Sequence, residues 1–146
     1  MRSAAIRFRK SRNGTAAVEF ALVLPVLTVA LLSTADGWSY VTASLAMRAG
    51  VKTAANLVMA GATNDSSTQA VALASWENKP DDATVSLNRK YMCGTTEVTS
   101  TTLCSGPKMP TIYVQIQASG TWVPPFTFGV FPGNSAIAHL QVVRVR

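Results

Sequence analysis

The stretch from Arg12 to Thr34, RNGTAAVEFALVLPVLTVALLST, constrains the chain more than any other. A basic flank and one glycine lead into about twenty apolar residues, enough for a helix rising about 1.5 Å per residue to cross a hydrocarbon core about 30 Å thick. One carboxylate, Glu19, interrupts the run. Inside a membrane such a group costs at least ~2.5 kcal/mol, so it asks for a partner and a purpose. A secretory signal peptide fits poorly, because its apolar region is about 7–15 residues and ends at a small-residue cleavage site. A plain signal-anchor accommodates the length but leaves Glu19 unexplained.

Glu19 is the fifth residue after Gly14, and Gly14 closes a short segment rich in Arg and Lys. This arrangement resembles a type IV prepilin processing site. The longer segment GTAAVEFALVLPVL resembles the start of TadE-like pilin-related proteins, partners of the tight-adherence (Flp) pilus. The resemblance implies cleavage by a prepilin peptidase between Gly14 and Thr15, and a role for Glu19 in assembly rather than in cutting.

Net charge is +6, which invites a nucleic-acid reading, but its distribution argues against one. Arg2, Arg7, Arg9, Lys10 and Arg12 supply five of the thirteen basic residues; the remaining eight face seven acids, a net of +1. No nucleic-acid partner is expected from so balanced a body. The basic flank instead holds the N-terminal side in the cytoplasm by the positive-inside rule, placing the body of the protein beyond the membrane. Cys93 and Cys104 bracket the polar loop GTTEVTSTTL, with no ligand cluster for a metal and no CxxC spacing. An envelope compartment is oxidising, so a disulfide between them is expected.

Beyond the apolar run, Asp36 and Gly37 mark an outer edge where a carboxylate reaches water and Trp38 and Tyr40 suit the interface. Tyr40, Ala43, Met47, Val51, Ala54 and Val58 then recur at helical spacing, while Ser44, Arg48, Lys52 and Asn56 form a polar row on another face. The periodicity predicts one helix from Thr15 to about Ala60, stopped by Gly61, with Pro25 inside it either as a bend that helps subunits pack or as a simply accommodated proline. Asp65 or Ser66 is expected to cap a short helix reaching about Trp76, with Ser66 and Gln69 in capping-box spacing. Lys79-Pro80-Asp81-Asp82 reads as a solvated turn. Three β-rich runs follow: Ala83, Val85 and Leu87; Ile112, Val114 and Ile116; and AIAHLQVVRV near the end. Between the last two, WVPPFTFGVFPG is too rich in proline for a central strand. It is expected as an excursion in which Trp122, Phe126, Phe128 and Phe131 cover one face of the sheet. The arginine-ended C-terminal pattern resembles the corresponding region of TadE-like proteins, more loosely than the N-terminal segment does.

No catalytic constellation emerges. His139, the single histidine, sits in a strand pattern without a nucleophile motif, and phosphate-loop, dinucleotide and zinc-protease fingerprints are all missing. No enzyme activity, cofactor or metal is expected. The fold expected is α+β: a long N-terminal helix, membrane-spanning in its first half, packed on a small antiparallel sheet with one short extra helix. Residues 1–14 form the leader, 15–36 the transmembrane helix and 37–146 an outer domain that includes the amphipathic extension. The resemblance implies a minor pilin or pseudopilin whose partners are a prepilin peptidase, other pilin-like subunits, the tight-adherence assembly platform and membrane lipid. It implies single-pass residence in a bacterial inner membrane, N-terminus cytoplasmic and C-terminal domain periplasmic, with incorporation into an extracellular pilus left open. The alternative is a signal-anchored envelope protein whose outer domain binds a partner or ligand.

Overall fold

The computed structural model describes residues 13–126 and 133–145. The leader up to Arg12, together with Phe128, Phe131 and Arg146, lies outside the described residues.

Helix α1 runs unbroken from Asn13 to Met59, 47 residues, and is therefore about 70 Å long. Its stop is chemical. Gly61 has φ +97°, a conformation that side-chain-bearing residues resist. Gly61 N–H donates to Val58 O at 3.1 Å and Ala62 N–H to Leu57 O at 3.0 Å; this paired closure satisfies carbonyls that the helix end would otherwise leave open.

Helix α2 spans Asp65–Ala74. Its cap differs from the expected one: Asn64, not Asp65 or Ser66, is the N-cap, and its Oδ1 accepts the Ser67 N–H at 3.0 Å. Asp65 is committed elsewhere. Its carboxylate takes both Nε (2.9 Å) and Nη2 (2.7 Å) of Arg89, and Nη2 also donates to Ala62 O at 2.9 Å. The hydrogen bond to Asp65 raises the Arg89 pKa against a small burial penalty. This fork ties the α1–α2 corner to the sheet. α2 sits close against α1 because Gly50 has no side chain; a Cβ there would lie 2.7 Å from Ala72 O.

Four strands form one antiparallel sheet in the order β2-β1-β3-β4: β1 Thr84–Cys93, β2 Thr96–Val98, β3 Thr111–Trp122 and β4 Ser135–Arg144. Three strands match the β-rich runs. The extra one, β2, pairs Cys93 with Thr96 and Met92 with Glu97 inside the cysteine loop. A three-residue polar strand carries no alternation to read. The expected disulfide between Cys93 and Cys104 is present, and it fastens the end of β1 to a loop whose Cys104 forms a bridge with Lys108.

Alternation along each strand points Val85, Val114, Ile116, Ala118, Trp122, Ile137 and Val143 at the helices. There they bury against Met47, Val51, Ala54, Ala55 and Val58 of α1, with Ala72 and Trp76 from the α2 region. Each fully buried Val or Ile contributes about 1.5–3 kcal/mol. The helical face expected to dock is therefore the one that docks, with Ala43 packed partly against the core. Tyr40 is the exception: it is 38% exposed and meets the ring of Trp122 edge to face. Trp122 also departs from expectation. It does not begin an excursion over the sheet; it ends β3 and is 5% exposed. Proline first appears at Pro124, so the β3 ladder keeps its donors up to Trp122. Phe126, expected on the sheet, stays 40% exposed.

Candidate assembly surface

Among the described residues, α1 is exposed from Thr15 to Leu31. Val18, Phe20, Leu22, Val23, Leu24, Val26, Leu27, Val29 and Leu31 are all exposed, on every side of the helix. A helix apolar all round belongs in lipid or against other helices. The stretch is long and apolar enough to cross a membrane, with none of it buried in the protein. Near its start stand Thr15 and Glu19, both exposed. Four residues separate them, about one turn, so they lie on neighbouring positions of one face. The Gly14–Thr15 bond lies at the start of the described part of α1. Pro25 has no N–H to give the carbonyl four residues back, yet α1 continues through it. Thr28 Oγ1 closes onto Leu24 O at 2.9 Å just beyond.

Where the bare half meets the domain, three contacts fix the helix. Asp36 was expected to reach water; it is instead 1% exposed, and its Oδ1 accepts the backbone N–H of Phe126 at 3.0 Å. Trp122 Nε1–H donates to Ser39 Oγ at 3.2 Å. Tyr40 and Trp122 meet edge to face, ring centroids 5.3 Å apart. One turn below Asp36, Ser33 Oγ is buried without a hydrogen-bond partner among the described residues. Sequence reasoning missed this junction because its acceptor is a carboxylate in an interfacial composition and its donor a backbone amide 90 positions away. The one local signal was the four-residue step from Asp36 to Tyr40, which puts a carboxylate on the docking face.

A groove of about 420 Å³ opens beside the junction, between Ser39 and Thr42 of α1 and Glu77, Asn78 and Pro80 of the α2–β1 connection. Among the described residues no three His, Cys, Asp or Glu side chains gather as a metal site. Asp82 is engaged rather than free: Thr121 N–H donates to its Oδ1 at 3.0 Å. The Thr121 side chain and then its backbone N–H hold the Asp82 carboxyl below its ordinary value of 3.8. His139 lies on the helix-facing side of β4, opposite Ala118. The sequence-derived residues thus sit far apart, Gly14, Thr15 and Glu19 at the bare end of α1, Cys93 at the end of β1 and Cys104 in the loop fastened to it.

The family model of TadE-like proteins matches residues 14–56, from the glycine through the domain-docking half of α1. No curated protein and no solved structure matches the chain.

Proposed function

We infer that this chain, TadE-like over residues 14–56, acts as a minor pilin or pseudopilin in a tight-adherence (Flp) pilus system. The observation that carries the reading is that the matched region opens at Gly14 and runs through a 47-residue helix whose first half is bare. A chain that exposes so much apolar helix requires lipid before assembly and other apolar surfaces after it. Its role is structural, without catalysis. A prepilin peptidase cuts after Gly14 on the cytoplasmic side of the inner membrane, and the outer domain stands in the periplasm. Cutting frees an α-amine on Thr15, a group that carries a positive charge at neutral pH when unperturbed. That amine and Glu19, one turn apart, neutralise each other within a subunit or between neighbours, setting axial register; paired, they avoid most of the cost each bears alone in lipid. Gly14 matters because a larger residue keeps the scissile bond from the peptidase.

The test uses two variants in cells that make pili. Gly14→Arg should accumulate at full length, and Glu19→Ala should be cut yet support no pili. A Glu19→Ala strain that assembles pili normally removes Glu19 from the mechanism.

A further inference from the structure

The two edges of the sheet differ in kind. β2, at one edge, is three residues long and carries Glu97, 3.1 Å from Lys90 Nζ; short, charged strands are how native sheets protect an edge. β4, at the other edge, has ten residues with no proline, lysine or acid, and its one full charge is Arg144 at its end. Its register with β3 shows which backbone groups it leaves over. Val145 N–H donates to Ile112 O at 2.9 Å, so these two form a hydrogen-bonded pair of the β3–β4 register, and such pairs alternate along a ladder. The odd-numbered residues of β4 therefore turn their N–H and C=O to β3, while Ala136, Ala138, Leu140 and Val142 turn theirs outward. Among the described residues no strand meets them.

The side chains of the same four residues stand exposed on the face away from the helices, Leu140 by 56% and Val142 by 52%. Ile137 and Val143 are buried on the other face. β4 is thus apolar on both faces, the composition of a strand enclosed on both sides, whereas central β3 shows Gln115, Gln117 and Ser119 outward. A second copy of this chain does not fit the edge. Trp122, ending β3, bonds Ser39, while Arg89, opposite Val114 early in β3, bonds Ala62 O just past the end of α1. β3 therefore runs against α1 and β4 runs with it. Antiparallel pairing of two β4 strands would reverse one α1 against the other, which two copies anchored in one membrane by the same end cannot do. In a parallel two-fold pair each residue would lie level with its own copy yet point to the opposite face, and neighbours in a pleated sheet point to the same face. β2 of another copy offers only three residues.

We propose that the free edge of β4 accepts a strand from a different protein anchored in the same membrane, with apolar residues at alternate positions beside Ala138, Leu140 and Val142. The occupant is a strand because the outward N–H and C=O groups repeat at the strand period. It is anchored because the contact is small. The edge is about 33 Å long and, at a sheet thickness of about 10 Å, hides about 330 Å² on each partner. Stable complexes hide roughly 1,200 Å² or more in all, so lasting pairing needs the high effective concentration that a shared membrane gives. This rests on the pilin-like reading only in placing the bare half of α1 in a membrane.

The experiment places a photoreactive side chain at position 138 or 142 of the full-length protein, in the cells that make it. Position 86 is the control, exposed on the same face but on β1, with β3 between it and β4. Positions 138 and 142, about 13 Å apart along the strand, should both label one other membrane-anchored chain at residues four positions apart. A helix lying there would be labelled at residues about nine apart. Leu140→Pro deletes an outward N–H that β3 does not use, a change an edge strand tolerates. It should lower both adducts about fivefold or more, the scale of one lost ladder hydrogen bond. Leu140→Thr removes the same side chain but keeps the N–H, and should leave the adducts nearly unchanged. An intact disulfide and unchanged protease resistance show that the fold survives; if Leu140→Pro lacks them, Ala136→Pro, near the start of β4, makes the same test. An adduct between two copies of this chain, labelled residues at helical separation, equal adducts for Leu140→Pro and Leu140→Thr, an adduct as strong at 86, or none at 138 and 142 each overturns the proposal. An uncut leader beside an adduct sensitive to Leu140→Pro would remove the pilin reading and leave the strand partner standing.

Discussion

The Asp36 carboxylate accepts the backbone N–H of Phe126 across 90 positions of sequence, and it does so almost completely out of water. That bond, with Trp122 on Ser39 one turn further, makes the bare and domain-bearing halves of α1 meet at a pinned point. The domain therefore takes its orientation from the helix.

Removing the acceptor should loosen the segment after β3. Asp36→Ala leaves the Phe126 N–H unpaired, a loss of about 1–3 kcal/mol, and should expose Val123–Phe126 to protease. Asp36→Asn keeps an oxygen in place and should protect that segment better. Equal cleavage of Asp36→Ala and wild type would deny the pin.

Val51, fully buried at the centre of the docking face, should not tolerate charge. Val51→Asp buries an unpaired carboxylate, so the outer domain should become protease-sensitive while the apolar half still inserts. Normal accumulation and resistance would show that α1 does not hold the domain through this face.

The Cys93–Cys104 bond closes a loop of eleven positions. Alkylation without reductant should find no free thiol in the folded protein. Reduction should cost about 2–3 kcal/mol, the chain-entropy value for a loop of this length. The loss should fall on β2, which lies within the loop. Full labelling of folded protein would contradict the bond.

Periodicity made the helix face legible: Met47, Val51, Ala54 and Val58 repeat at the helical period because a single sheet covers one side. The β1, β3 and β4 runs were legible for the same reason at period two. What was not legible depended on partners distant in sequence. Asp36 looked like an interfacial carboxylate until Phe126 met it. Asp65 looked like a cap, but Arg89 claims it and Asn64 caps instead. Gly14 and Glu19 entered through the resemblance of their spacing to a prepilin processing site, whereas nothing local marked the Asp36–Trp122–Phe126 junction.

Asp82 gives a pH signature. Thr121 holds its carboxyl below 3.8, so the folded state binds that proton less readily than the unfolded chain. Its contribution is complete above 3.8 and disappears as the pH falls through the lower folded value. Acid-unfolding curves of wild type and Asp82→Asn should differ at neutral pH and converge in strong acid. Curves separated by a constant amount at every pH would remove Asp82 from the acid limb.

The central claim, that α1 begins its working life at Thr15, is tested most directly by N-terminal sequencing of the mature protein from piliated cells. The account predicts a first residue of Thr15, with Gly14 and everything before it gone. A mature chain that still begins at Met1 while pili are present would contradict it and leave a plain signal-anchor.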